Sequence, residues 1–269
     1  MTQLTTVSAD GTPLAYETLG DGPPVVLVQG ALCARTADGP LAGLLSRHLT
    51  AVLYDRRGRG ASGDATTGRI PPTGVAEREI EDLAAVIDAV GGRAAVYGMS
   101  SGAVLALRAA AAGLPVTRLA VYEPPFRAED SGPDDDEAHA AGVARLYDLL
   151  AAGDRDGAVA HFIGGVGAPP EAVREMRATP LWADFTALAP TLAYDYDVLG
   201  DGRLPAGLLA EVSMPVLALA GGASWEWIQN AARRVADTVR DGRFALVPEQ
   251  THEVAPEAVA PPLTEFLAA

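Results

Sequence analysis

The chain has 269 residues, 49% of them hydrophobic, and a net charge of −15. That length accommodates one large α/β domain or one domain carrying an insertion, and the apolar content is ample for its core. All 20 cationic side chains are arginine; such an acidic, lysine-free chain is a poor match for phosphate backbones and anionic membranes and has no lysine amine for Schiff-base chemistry.

Residues 2 to 19 read as a hairpin, with alternating Leu4, Thr6 and Ser8, a turn at Asp10-Gly11, and a return strand from Pro13 to Thr18. Pro24 to Gln29 and Ala51 to Asp55 are continuous apolar runs, the pattern of strands buried on both faces. The first ends in Gly30-Ala31-Leu32-Cys33 and is followed by a helix around Leu41 to His48; the second closes in the loop DRRGRGASGD. Between Val75 and Val90, Ile80, Leu83, Ile87 and Val90 recur at spacings of three, four and three, which predicts an amphipathic helix. A short strand at Ala94 to Tyr97 then breaks into Gly-Met-Ser-Ser-Gly and continues as an Ala/Leu-rich helix; Arg118 to Tyr122 is the next strand. From Phe126 to about Pro205 the pattern changes to short helical segments separated by acidic and Gly/Pro-rich pieces. Pro215 to Ala220 resumes the buried-strand type, followed by a helix from Trp225 to Val239, a strand from Arg243 to Val247 and a helix from Glu257 to Leu267.

Strands alternating with helices imply an α/β fold: a mostly parallel central sheet with helices on both faces, built from residues 1–125 and 206–269, with 126–205 inserted after the sixth strand. No basic region followed by an apolar stretch opens the chain and no run of 18 apolar residues occurs, so neither a signal peptide nor a membrane span is expected. One cysteine, Cys33, allows no intrachain disulfide and suits a reducing, cytoplasmic setting.

A strand, a sharp turn at G-x-S-x-G and a helix form a nucleophile elbow, in which the serine is presented above the sheet in a strained conformation. Glycines two before and two after the serine pick Ser100, flanked by Gly98 and Gly102, over Ser101. Such a serine needs a base and oxyanion donors. Of His48, His139, His161 and His252, only His252 follows the last strand, where the carboxyl ends of a parallel sheet converge.

Gln29-Gly30 after the third strand, DRRGRGAS after the fourth, GMSSG after the fifth, the helical insertion and the late His252 together resemble the α/β-hydrolase fold superfamily over nearly the whole chain, and most of all its small, capped, esterase-like serine hydrolases. The resemblance implies an acyl-Ser100 intermediate, oxyanion donors at the backbone N–H of Ser101 and Ala31, and 126–205 as a helical cap. Gln29 departs from it, because relatives usually carry His at that position. The acid departs further. Most relatives have an aspartate in the loop after the strand PVLALA, and here that place is held by Ser224, which cannot stabilise an imidazolium by charge. Two carboxylates compete for the role. Glu123 directly ends the sixth strand and is stiffened by Pro124 and Pro125; Glu226 begins a helix, where a glutamate is common for dipole reasons alone. Some superfamily branches place their acid as a glutamate at the end of the sixth strand, and Glu123 is preferred.

The expectation is therefore a cofactor-independent hydrolase of a small-molecule ester, thioester or lactone, with Ser100, His252 and Glu123 in the triad. Gln29, Met99, Trp182 and Phe185 are candidate pocket residues. No metal-ligand spacing or phosphate-binding glycine loop is present. Asp55 is expected to pin its loop through Arg56, Arg57 and Arg59, and Cys33 to be a small buried side chain. A cyclase, lyase or isomerase on the same fold, or a non-catalytic binding protein, are the alternatives.

Overall fold

The computed structural model describes residues 2–66, 70–127 and 132–269. Its strands are β1 (Leu4–Val7), β2 (Pro13–Leu19), β3 (Pro24–Val28), β4 (Thr50–Tyr54), β5 (Ala94–Met99), β6 (Val116–Tyr122), β7 (Val216–Gly221) and β8 (Gly242–Val247). They form one eight-stranded sheet in the order β1-β2-β4-β3-β5-β6-β7-β8. The first two make the expected hairpin, Leu4 opposite Tyr16, and β2 runs antiparallel to β4. All other neighbours are parallel.

Side chains alternate across a strand, so Val25 and Leu27 enter one core and Val26 and Val28 the other. The first core is closed by α1 (Gly39–Leu45) and α11 (Pro256–Leu267), the second by α2 (Val75–Ala89), α3 (Ser101–Ala111) and α10 (Glu226–Thr238). With both faces covered, an alternating pattern would strand polar groups in a core, which is why these strands read as unbroken apolar runs. Each fully buried Val or Leu in them contributes about 1.5–3 kcal/mol. Helix α1 stops at Leu45, short of His48, because the chain tightens there: the N–H groups of His48 and Leu49 both donate to Leu45 O at 3.0 Å.

Among the described residues between β6 and β7 every regular element is helical: α4 (Pro133–Ala151), α5 (Arg155–Gly165), α6 (Pro170–Arg177), α7 (Leu181–Leu188), α8 (Leu192–Leu199) and the single turn α9 (Ala206–Leu209). Residues 128–131 of this segment lie outside the described residues. The helices share a core of Leu146, Val159, Ile163, Trp182 and Leu192, into which Leu32 of the β3 loop inserts. Helix α8 packs against α2 and α3. Among the described residues no helix is long and apolar enough to cross a membrane.

The chain leaves β3 for β4 on one side and returns to β5 on the other. That reversal opens a crevice at the carboxyl ends of β3 and β5, the place where open α/β sheets bind ligands.

Candidate active site

Four non-glycine residues among those described have positive φ: Leu32 (56°), Ser100 (55°), Glu123 (48°) and Glu249 (60°). They lie in the segments that follow β3, β5, β6 and β8, all at the carboxyl edge of the sheet. Each such conformation costs about 1–3 kcal/mol and persists only where the surroundings impose it, which marks this edge as a functional-site candidate.

Ser100 stands between β5 and α3 with ψ −124°. Its N–H donates to Tyr122 O at 2.9 Å, and Ala103 N–H donates back to Ser100 O at 2.9 Å. The flanking glycines are a matter of space: a Cβ on Gly98 would lie 2.5 Å from Gly102 O, and one on Gly102 would lie 2.2 Å from Val28 O. The loop after β3 is pressed against the serine, since a Cβ on Gly30 would come within 3.0 Å of Ser100 Cβ. Beside it, the backbone N–H groups of Ala31 and Ser101 have no acceptor among the described residues. Ser101 is the first residue of α3, where an N–H has no intrahelical partner and the helix dipole is positive.

On the other side of the crevice the last residue of β6, Tyr122, and the residue that follows it, Glu123, organise the β8 loop. Tyr122 OH donates to Thr251 O at 2.6 Å. Glu123 is fully buried, and its Oε2 lies 2.6 Å from His252 Nδ1. Its Oε1 accepts from Gly221 N–H at 2.8 Å and from Ser224 Oγ at 2.5 Å. Burial pushes the Glu123 carboxyl up, but the hydrogen bonds from His252, Ser224 and Gly221 outweigh it and hold the group below the usual glutamate range. With Glu123 ionised, Nδ1 carries the imidazole proton and Nε2 is left as the basic nitrogen. No hydrogen bond joins His252 to Ser100 Oγ among the described residues; such contacts commonly tighten only when substrate is bound. Glu226, the alternative acid, is the exposed first residue of α10 and forms no bond to His252.

The four pocket candidates are differently placed. Gln29 is buried and folds back on its own strand, its Nε2 donating to Leu27 O at 3.2 Å. Met99 packs on the core under α1 and α11. Trp182 Nε1 donates to Asp156 at 2.7 Å and its ring lies 5.3 Å beneath Arg177, so it joins α5 to α7. Phe185 packs against the cluster that receives Leu32. Burial pushes the Cys33 thiol up to about 11, so it stays protonated at neutral pH.

The arginines of DRRGRGAS depart from expectation. Asp55 pairs with Arg35 and accepts from Ala61 N–H at 2.8 Å, and none of the three following arginines bonds to it. Arg56 is bidentate on Glu79 at 2.6 and 2.7 Å, and Arg57 on Asp82 at 2.8 and 2.7 Å. Arg56 and Arg59 also converge on Asp195 of α8, at 2.9 and 2.8 Å. All three guanidiniums are fully buried, a situation that requires paired carboxylates. One signal of this was available: Glu79 occupies the same face of α2 as Ala76 and Leu83, a core-facing position where an unpaired acid would not survive. Asp195 had none, because its partners are 136 and 139 residues away.

The sequence matches the Alpha/beta hydrolase family over residues 25–261, and the chain belongs to that family. An alpha/beta hydrolase of known structure from Sphaerobacter thermophilus DSM 20745 is 51% identical over 98% of this chain and 99% of its own, with a TM-score of 0.87. A hydrolase from Pseudomonas aeruginosa PA01 is 24% identical over 99% and 98% of the two chains, with a TM-score of 0.78. A thermophilic esterase from Thermogutta terrifontis is 22% identical over 99% and 98%, with a TM-score of 0.72. At those last two identities the likeness is one of fold. No curated protein matches the chain significantly.

Proposed function

We propose that this hydrolase-family chain is a serine hydrolase that cleaves a small carboxylic ester, thioester or lactone without a cofactor. Ser100 Oγ attacks the carbonyl carbon while its proton passes to His252 Nε2. The tetrahedral oxyanion receives the N–H groups of Ala31 and Ser101. Collapse expels the alcohol or thiol with the proton from His252, and water, deprotonated by the same nitrogen, releases the acid and frees Ser100. Glu123 keeps the proton on Nδ1 and stabilises the imidazolium. The helical segment between β6 and β7 serves as the cap that selects substrate, its core reaching Leu32 next to the Ala31 donor.

The observation that carries this reading is the buried Glu123 carboxylate, 2.6 Å from His252 Nδ1, beside a serine in a strained elbow. A buried charge with three donors aimed at it is costly to build and idle unless it orients the ring. The test is turnover of short-chain p-nitrophenyl esters and of a lactone by the wild-type chain and by Ser100→Ala. Turnover that vanishes in Ser100→Ala supports the assignment; equal turnover in both would end it.

A further inference from the structure

We propose that Arg59, held by Asp195 of α8, aligns and polarises the Gly30–Ala31 peptide so that its N–H can stabilise the oxyanion; this rests on the serine-hydrolase reading above. In a trans peptide the C=O and the N–H point in opposite directions. Arg59 Nη1 donates to Gly30 O at 2.6 Å, which directs the Ala31 N–H of the same peptide away from the guanidinium. Gly30 is the residue whose Cβ position lies 3.0 Å from Ser100 Cβ, so the directed N–H belongs to the loop that faces the nucleophile. A cation on the carbonyl draws charge through the peptide and makes its N–H a stronger donor. Arg56 repeats the contact one peptide earlier, its Nη1 donating to Gln29 O at 3.1 Å.

Asp195 joins the two halves of the oxyanion site. Its Oδ1 accepts from Arg56 at 2.9 Å, from Arg59 at 2.8 Å and from Ser101 Oγ at 2.7 Å. Ser101 is the residue that offers the second N–H. One carboxylate oxygen of the buried Asp195 therefore sets the back of both donors, and it comes from the helical segment rather than from the sheet. Arg57 supplies an internal comparison. It belongs to the same arginine run and is equally buried, but its partners Asp82, Asp10 and Arg78 O lie away from the β3 loop. A staple that merely held the fold would make Arg57 and Arg59 equivalent.

Arg59 is thus a positioning residue, and its test must read the oxyanion itself. The ¹³C resonance of the hemiketal that a labelled trifluoromethyl ketone forms with Ser100 reports the pKa of the bound oxyanion. In Arg59→Lys, which keeps the charge but loses the fork, that pKa should rise by about 1–2 units and kcat should fall by about 10- to 100-fold, with KM within about threefold, part of the cost of losing one oxyanion donor. Arg57→Lys should lower thermal stability and leave both readings at the wild-type value. Should Arg59→Lys not fold, the double variant Arg59→Met with Asp195→Leu removes both charges together, an exchange that buried pairs often tolerate, and the same rise is expected. A folded Arg59 variant indistinguishable from the Arg57 variant in hemiketal pKa and kcat overturns the proposal alone. A wild-type chain that forms no hemiketal overturns the serine-hydrolase reading, and this proposal with it.

Discussion

Replacing Glu123 by glutamine keeps the shape of a fully buried side chain and removes its charge. The geometry dictates how the amide must sit. Ser224 Oγ and Gly221 N–H both donate to the Oε1 position, so the glutamine oxygen stays there. Its NH₂ then takes the Oε2 position, 2.6 Å from His252 Nδ1. An amide NH₂ can only donate, so Nδ1 must accept and the imidazole proton moves to Nε2. A histidine in that tautomer cannot receive the Ser100 proton, and triads altered this way lose about 10⁴ in kcat, which is about 5.4 kcal/mol of barrier. Steady-state turnover of a p-nitrophenyl ester at pH 7–8, with circular dichroism to establish folding, measures it. Glu226→Gln, on the exposed first turn of α10, should leave kcat within about twofold. A folded Glu123→Gln variant within tenfold of wild type, or a comparable loss in Glu226→Gln, would refute the reasoning.

Two further outcomes follow from the same surroundings. Ser224→Ala deletes the 2.5 Å bond to Glu123 Oε1 but leaves Gly221 N–H in place; kcat should fall by about 3- to 30-fold, part of the value of a hydrogen bond to a charged group. Ser224→Asp, which restores the side chain usual in relatives, should be worse than Ala because it sets a second carboxylate against the first; gain of activity in that variant would contradict the arrangement. Asp38 concerns stability. Burial pushes its carboxyl up to about 6, against a hydrogen bond from Gln29 that opposes the rise. A carboxyl raised above its unfolded value of about 3.9 costs nothing below pH 4, and the penalty accrues between pH 4 and 6 and is complete above that. Its size is at most about 3 kcal/mol, and less because the side chain keeps some solvent contact. Urea unfolding of Asp38→Asn should show a gain at pH 8 that is absent at pH 4; an equal change at both would exclude the ionisation as its source.

The strands are legible because a sheet covered on both faces leaves unbroken apolar runs, as at Val25 to Val28 and Leu217 to Ala220. The elbow around Ser100 is legible because it needs glycine at Gly98 and Gly102, where any Cβ collides with backbone. Glu123 is singled out by the resemblance: with Ser224 in the usual acid position and Glu226 at a helix start, the superfamily branches that carry a glutamate after the sixth strand point to Glu123, just before two prolines. The new role of Ser224, donating to that displaced carboxylate, was hidden because it depends on a contact 101 residues apart. The arginine run misled for a related reason. Neighbours in sequence suggest each other as partners, which is why the run predicts Asp55 paired with Arg56, Arg57 and Arg59. Asp55, however, turns toward Arg35 and its own loop, while the arginines are drawn to carboxylates on α2 and α8. Buried charges choose partners by three-dimensional proximity, and local pattern carries little trace of that choice.

The most direct measurement is the mass of the intact chain after exposure to a fluorophosphonate, followed by peptide mapping. One phosphonyl group per chain on the peptide bearing Ser100 is expected, with labelling lost in Ser100→Ala and slowed by orders of magnitude in His252→Ala and Glu123→Gln. A folded wild-type chain that stays unmodified, or one modified at a residue other than Ser100, would contradict the assignment of Ser100 as an activated nucleophile.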